Sequence, residues 1–133
     1  MTTNWRIWLG GVLGIVTVMR AFAAGHTPDT LETVKKAVAD EKAVIVDVRE
    51  ADEWNDAHLK SATLIPLTKL NDGIPAADLM KLLPKDKVIY LHCAAGGRCL
   101  MAAEILRKQG YDARALKPGF SELVKAGFPK AEK

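Results

Sequence analysis

Two short apolar runs, Val44-Ile45-Val46 and Val88-Ile89-Tyr90-Leu91, contain no polar interruption. A strand with one face in water alternates apolar and polar residues, so an unbroken run belongs to a strand covered on both faces, as in a parallel sheet. Helical signals surround both runs. Asp29 can cap a helix with Glu32 three residues on, and Leu31, Val34 and Val38 share a face, which predicts a helix over 30–39. Residues 50–57 are charged and helix-tolerant around Trp54, and Thr63-Leu64-Ile65 before Pro66 reads as a second strand. Asn71-Asp72-Gly73 marks a turn, Pro75 suits a first helical turn, and Leu79, Leu82 and Leu83 are expected to face inward. From Arg98 onward, Met101, Ala102, Ile105 and Leu106 recur at helical spacing until Gly110 offers a stop. A last strand over Ala113 to Leu116 and a helix from about Ser121 to Ala126 follow, leaving residues 131–133 as a frayed tail.

Strand and helix therefore alternate, which implies an α/β architecture: a mostly parallel sheet of four or five short strands with helices on both faces. Ligands of such sheets sit beyond the strand C-termini, where both Asp47 and Cys93 fall. With 133 residues, 49% of them apolar, the chain has room for one core and one domain. The formal charge of +3 is modest, and lysines alternate with acids in stretches such as Pro84-Lys85-Asp86-Lys87, which gives nucleic-acid binding no support.

The N-terminus reads as an export signal. Arg6 supplies positive charge, Ile7 to Met19 is uncharged, and Ala21-Phe22-Ala23 fits the small-x-small cleavage rule, so residues 1–23 are expected to be a signal peptide and 24–133 the folded domain. Thirteen helical residues reach about 20 Å, short of the roughly 30 Å hydrocarbon layer, so an uncleaved anchor is the alternative and the one route to a membrane. Without Arg6 and Arg20, 17 bases face 16 acids. Export implies a periplasmic or secreted protein in an oxidising space, where Cys93 and Cys99, the only two cysteines, could close a disulfide.

Between His92 and Arg98 lie Cys93 and four small residues in succession, Ala94, Ala95, Gly96 and Gly97. Such a loop can curl tightly and point several N–H groups at one centre, an anion nest at the positive end of the following helix. A thiol at its mouth would have its pKa lowered by the helix terminus and by Arg98, which creates a nucleophile without a general base. The bland alternative is a small buried hydrophobe closing a strand. Metal binding fails on spacing, because no Cys-x-x-Cys or His-x-x-x-His pair exists. No cofactor is implied. Trp54 and Phe120 are expected in the core.

This loop, with Asp47-Val48-Arg49-Glu50, Glu53-Trp54 and His58, Ile65-Pro66, and Gly127-Phe128-Pro129, resembles a single-domain rhodanese over about residues 28–130. The resemblance implies a rhodanese-like fold and a sulfurtransferase that moves a sulfane sulfur from a small donor such as thiosulfate, through a Cys93 persulfide, to cyanide, a thiol or a protein acceptor. It implies that Cys93 is nucleophile and carrier, that Arg98 steers anionic donors, and that the amides from Ala94 to Cys99 form the cradle. Asp47, Arg49 and His58 are then structural groups near the site. Cysteine-dependent phosphatases share a similar loop but need one residue more between Cys and Arg; here there are four, and Cys99 cannot supply arginine's fork of donors.

The chain departs from the family pattern at Cys99, where Ser or Thr usually follows the arginine, and at Ala57 and Ser61, where glycines are common. Cys99 is either a buried small residue or a resolving thiol for the Cys93 persulfide. The rival functions are a persulfide carrier or interaction module without turnover, and a thiol redox protein that uses Cys93 and Cys99.

Overall fold

The computed structural model describes residues 25–133, so the expected signal peptide or anchor over 1–23 lies outside the described residues. Helix α1 (Leu31–Ala39) leads into strand β1 (Ala43–Asp47), followed by α2 (Ala51–Asp56), β2 (Ala62–Leu64), α3 (Leu67–Asp72), α4 (Ala76–Leu82), β3 (Val88–His92), α5 (Gly97–Lys108), β4 (Asp112–Ala115) and α6 (Phe120–Lys125). The strands form one sheet in the order β2-β1-β3-β4, parallel throughout. The two unbroken apolar runs are the two central strands, β1 and β3, as burial on both faces requires.

Two apolar clusters flank the sheet. Val46, Ile89 and Leu91 meet Leu70, Leu79, Ala102 and Leu106 on one side. Ile45 and Tyr90 meet Val34, Leu123 and Phe128 on the other. Helices thus cover both faces, α3, α4 and α5 on one side and α1 and α6 on the other. The chain leaves β1 for one side of the sheet and β3 for the other, so a crevice opens between their C-terminal ends. Register pairs Asp47 with His92 there, and Cys93 is the next residue.

Several expectations need correction. Thr30 caps α1, its hydroxyl accepting from the Thr33 amide, while Asp29 instead accepts from the Tyr90 hydroxyl at 2.6 Å and from Arg114 at 2.8 Å. Residues 67–72 form a helix, where only the turn at 71–73 was expected; Gly73, at φ 92°, ends it. Leu82 is exposed: α4 ends there, and the extended backbone of Leu83 carries that side chain inward. Met101 is also exposed, because the buried stripe of α5 runs through Cys99, Ala102, Ala103 and Leu106, one helical step away from the predicted one. The tail is pinned as far as Ala131, whose amide donates to His58 O at 2.9 Å.

Candidate active site

Cys93 follows β3 directly, and its backbone carbonyl accepts from the Phe120 amide at 2.9 Å. Gly96 caps α5 in the left-handed region at φ 90°, a conformation that strains any side chain. That twist turns the Gly96 amide back onto Cys93 Sγ at 3.1 Å. The thiol is pushed down to about 5, first by the Cys99 thiol beside it and then, against the opposing effect of burial, by the amides of Cys99, Ala95 and Gly96. The loop is curled as the glycines suggested. The largest influence, however, is Cys99, where the sequence pointed to the helix terminus and Arg98.

Cys99, fully buried in the first turn of α5, places Sγ 3.1 Å from Gly96 O and 3.3 Å from Leu116 O. Both cysteines are free thiols. The Cys93 anion and burial push the Cys99 thiol up, so it holds its proton where Cys93 gives its proton up. Cys93 itself is 1% exposed, whereas Ala94, Ala95 and Gly97 of the same loop are exposed. The sulfur thus lies just beneath a loop whose outer surface is in water.

Arg98 does not lie open to solvent. Its two terminal nitrogens donate to the Glu53 carboxylate at 2.6 and 2.9 Å, a two-pronged pair between α5 and α2. This pair holds Glu53 down at about 2 and raises Arg98. Glu53 also accepts from the Glu50 amide at 3.2 Å, which ties the pair to the start of α2.

Asp47, at the end of β1, is fully buried and receives Arg49 through its amide at 2.9 Å and its guanidinium at 2.8 Å. Arg49 also donates to Ala57 O at 2.7 Å and lies over the Phe120 ring at 4.3 Å. Asp47 and Arg49 thus link the β1 tip to Phe120, whose amide holds the Cys93 carbonyl. Ala57 needs no glycine, because its φ of −166° is extended backbone. Phe120 is half-buried and packs against the core cluster of Tyr90 and Leu123, as expected, whereas Trp54 is in neither cluster: it stacks on His58 with ring centroids 3.6 Å apart, and His58 Nδ1 donates to Trp54 O at 2.9 Å. His92 is buried with neither ring nitrogen hydrogen-bonded; burial lowers its pKa, against the opposing pull of Asp47 3.7 Å away.

Two further residues at the site lie outside the motifs read from the sequence. His26, ahead of α1, donates through Nε2 to Gly96 O at 2.7 Å. Gly119 lies against the loop so closely that a Cβ there would stand 1.8 Å from Ala94 O. Both contacts join segments distant in sequence, and only the Pro118-Gly119 dipeptide hinted at a turn.

A curled cysteine loop at the crevice of a parallel sheet, with a backbone amide on the sulfur, is an arrangement suited to chemistry at a cysteine thiolate. A family model described as "Rhodanese-like domain" matches residues 30–126, and the chain belongs to that family. It is 35% identical over 89 residues to a probable adenylyltransferase/sulfurtransferase, MoeZ, of Mycobacterium tuberculosis, covering 66% of this chain and 22% of that one. It is likewise 35% identical over 83 residues to a putative sulfur carrier protein, YrkF, of Bacillus subtilis, covering 62% of this chain and 42% of the other. The chain therefore spans less than half the length of these curated relatives. Among solved structures, the Helicobacter pylori protein hp1203 superposes with a TM-score of 0.57 at 35% identity, over 70% of this chain and 81% of that one. The human single-domain sulfurtransferase TSTD1 shares the fold, with a TM-score of 0.63 at 24% identity over 74% and 96% of the two chains.

Proposed function

We propose that this protein is a sulfurtransferase that takes a sulfane sulfur from a small donor, thiosulfate among them, onto Cys93 and passes it to a thiophilic acceptor such as cyanide, a thiol or a protein. The observation that carries this reading is the curled loop whose Gly96 amide lies 3.1 Å from Cys93 Sγ, a setting that pushes the thiol down to about 5. Such a thiolate attacks the sulfane sulfur, the donor's S–S bond breaks, and the leaving group departs with the electron pair. The terminal persulfide is again an anion, held by fixed donors that cost no reorganisation. Relatives named sulfurtransferase and sulfur carrier support the same chemistry. Intact mass after thiosulfate exposure tests it: one added sulfur on Cys93 that cyanide removes is expected, with none in Cys93→Ser. A wild-type protein that gains no sulfur from any sulfane donor would sink the reading.

A carrier without rapid turnover is the second reading, favoured by the 1% exposure of Cys93, which restricts small acceptors. Stoichiometric persulfide that cyanide removes slowly would select it. The charge and cleavage pattern of Arg6, Ile7 to Met19 and Ala21-Phe22-Ala23 supports export to the periplasm, with mature protein starting at Ala24. N-terminal sequencing of the fractionated protein tests that point.

A further inference from the structure

Both guanidinium groups beside the loop are already matched by carboxylates. Arg49 is held by Asp47 at 2.8 Å and Arg98 by Glu53 at 2.6 and 2.9 Å. Glu50, at the start of α2, adds a further negative charge next to this pair: its amide donates to Glu53 and its carboxylate accepts from the Thr68 hydroxyl. With Cys93 ionised, the charged groups paired or clustered here among the described residues are Asp47, Glu50, Glu53 and Cys93 against Arg49 and Arg98. The N-terminus of α5 returns roughly half a positive charge, which leaves the balance negative. Lys117, on the segment behind the loop, is exposed to water. A dianion approaching this thiolate meets net repulsion, although the chain as a whole is basic.

We infer that Glu53 is a specificity-determining residue: by occupying Arg98 it turns the site away from dianionic thiosulfate and toward sulfane donors with less negative charge, organic persulfides and thiosulfonates. The inference rests on the Cys93 persulfide reading and narrows it. In the favoured step Cys93 Sγ bonds to the terminal sulfur of an organic persulfide, the donor's S–S bond breaks, and the electron pair leaves on a thiolate that takes the proton of the donor. With a thiosulfonate the same bond change releases a sulfinate. Thiosulfate would release sulfite, but it must bring both of its charges to the anion.

Thiosulfate and methanethiosulfonate make the test pair, since they break the same kind of sulfur bond and differ by one charge. The expected result is a higher kcat/KM for methanethiosulfonate in the wild type. Glu53→Gln and Glu53→Ala should raise the thiosulfate-to-thiosulfonate ratio roughly fivefold, an effect kept modest because both members of the pair are 31% exposed. Arg98→Ala, which leaves Glu53 uncompensated, should lower that ratio. The wild type supplies a measurement free of folding effects. Raising NaCl from about 20 to about 200 mM should speed thiosulfate use by screening like charges, whereas a free, steering arginine would make it fall. An unchanged or falling ratio in both Glu53 variants, or a thiosulfate rate that drops with salt, overturns the role of Glu53 while Cys93 still gains sulfur. Absence of sulfur on Cys93 with either donor overturns the persulfide reading itself.

Discussion

Replacing Cys99 by alanine isolates the strongest influence on the reactive thiol. The Cys99 S–H has one proton and three acceptors in reach: Gly96 O, Leu116 O and, once ionised, Cys93. The anion is the strongest of the three, since a hydrogen bond to a charged acceptor is about twice as strong as a neutral one. Such a bond contributes about 1.5–3 kcal/mol, which corresponds to roughly 1–2 pKa units on Cys93. The midpoint should therefore move from about 5 in the wild type to between about 6 and 7 in Cys99→Ala. The plateau rate above it should rise severalfold, because the less acidic thiolate is the better nucleophile. The assay is the pH dependence of iodoacetamide alkylation, with the label mapped to Cys93 by mass. Cys99→Ser, whose hydroxyl can make the same bond, should keep the midpoint near the wild-type value. A Cys99→Ala midpoint within half a unit of wild type, or identical behaviour of the alanine and serine variants, refutes the assignment.

Gly119→Ala should displace the Ala94 peptide, since its Cβ would lie 1.8 Å from that carbonyl oxygen; a loss of about 1–3 kcal/mol in urea melts and at least a tenfold slower persulfide formation are expected. Asp47→Ala leaves the buried Arg49 guanidinium unpaired, and a destabilisation of about 3–5 kcal/mol should follow, read from urea midpoints. The Cys93 pKa is lowered on folding from an ordinary 9.0 to about 5, so the unfolded chain binds the extra proton in that window. Its contribution to stability is complete above pH 9.0 and lost as pH falls through about 5, and Cys93→Ser should flatten the rise of the urea midpoint between those values.

The fold was legible where burial leaves an unambiguous mark. The unbroken runs at Val44–Val46 and Val88–Leu91 identified the central strands to within a residue or so, and their order placed Asp47 and Cys93 at one edge. The reading failed where one residue's rotation about the helix decides a face, as at Met101, or where a helix ends a residue early, as at Leu82. Site residues with distinctive chemistry, Cys93, Arg98 and Gly96, could be picked out in the sequence. Their partners could not: Glu53 lies 45 residues before Arg98, and His26 reaches Gly96 across 70. Nothing local in a glutamate on a charged helix says which arginine it will meet.

Burial and low pKa pull in opposite directions at Cys93, and the way the conflict is resolved explains the design. Taking a thiolate out of water raises its pKa, and the usual remedy is an adjacent cation. Here the nearest guanidinium groups are bound to Glu53 and Asp47, so the remedy is hydrogen bonds from Gly96, Ala95 and Cys99. Backbone donors do not titrate, and Cys99 keeps its proton, so these donors stay available to the Cys93 anion over the whole pH range in which it is ionised. Stabilising the anion is thereby separated from attracting one. The first is built into the backbone of the loop, held in shape by Gly96 and Gly119, and the second, as we infer, is set by the Glu53–Arg98 pair.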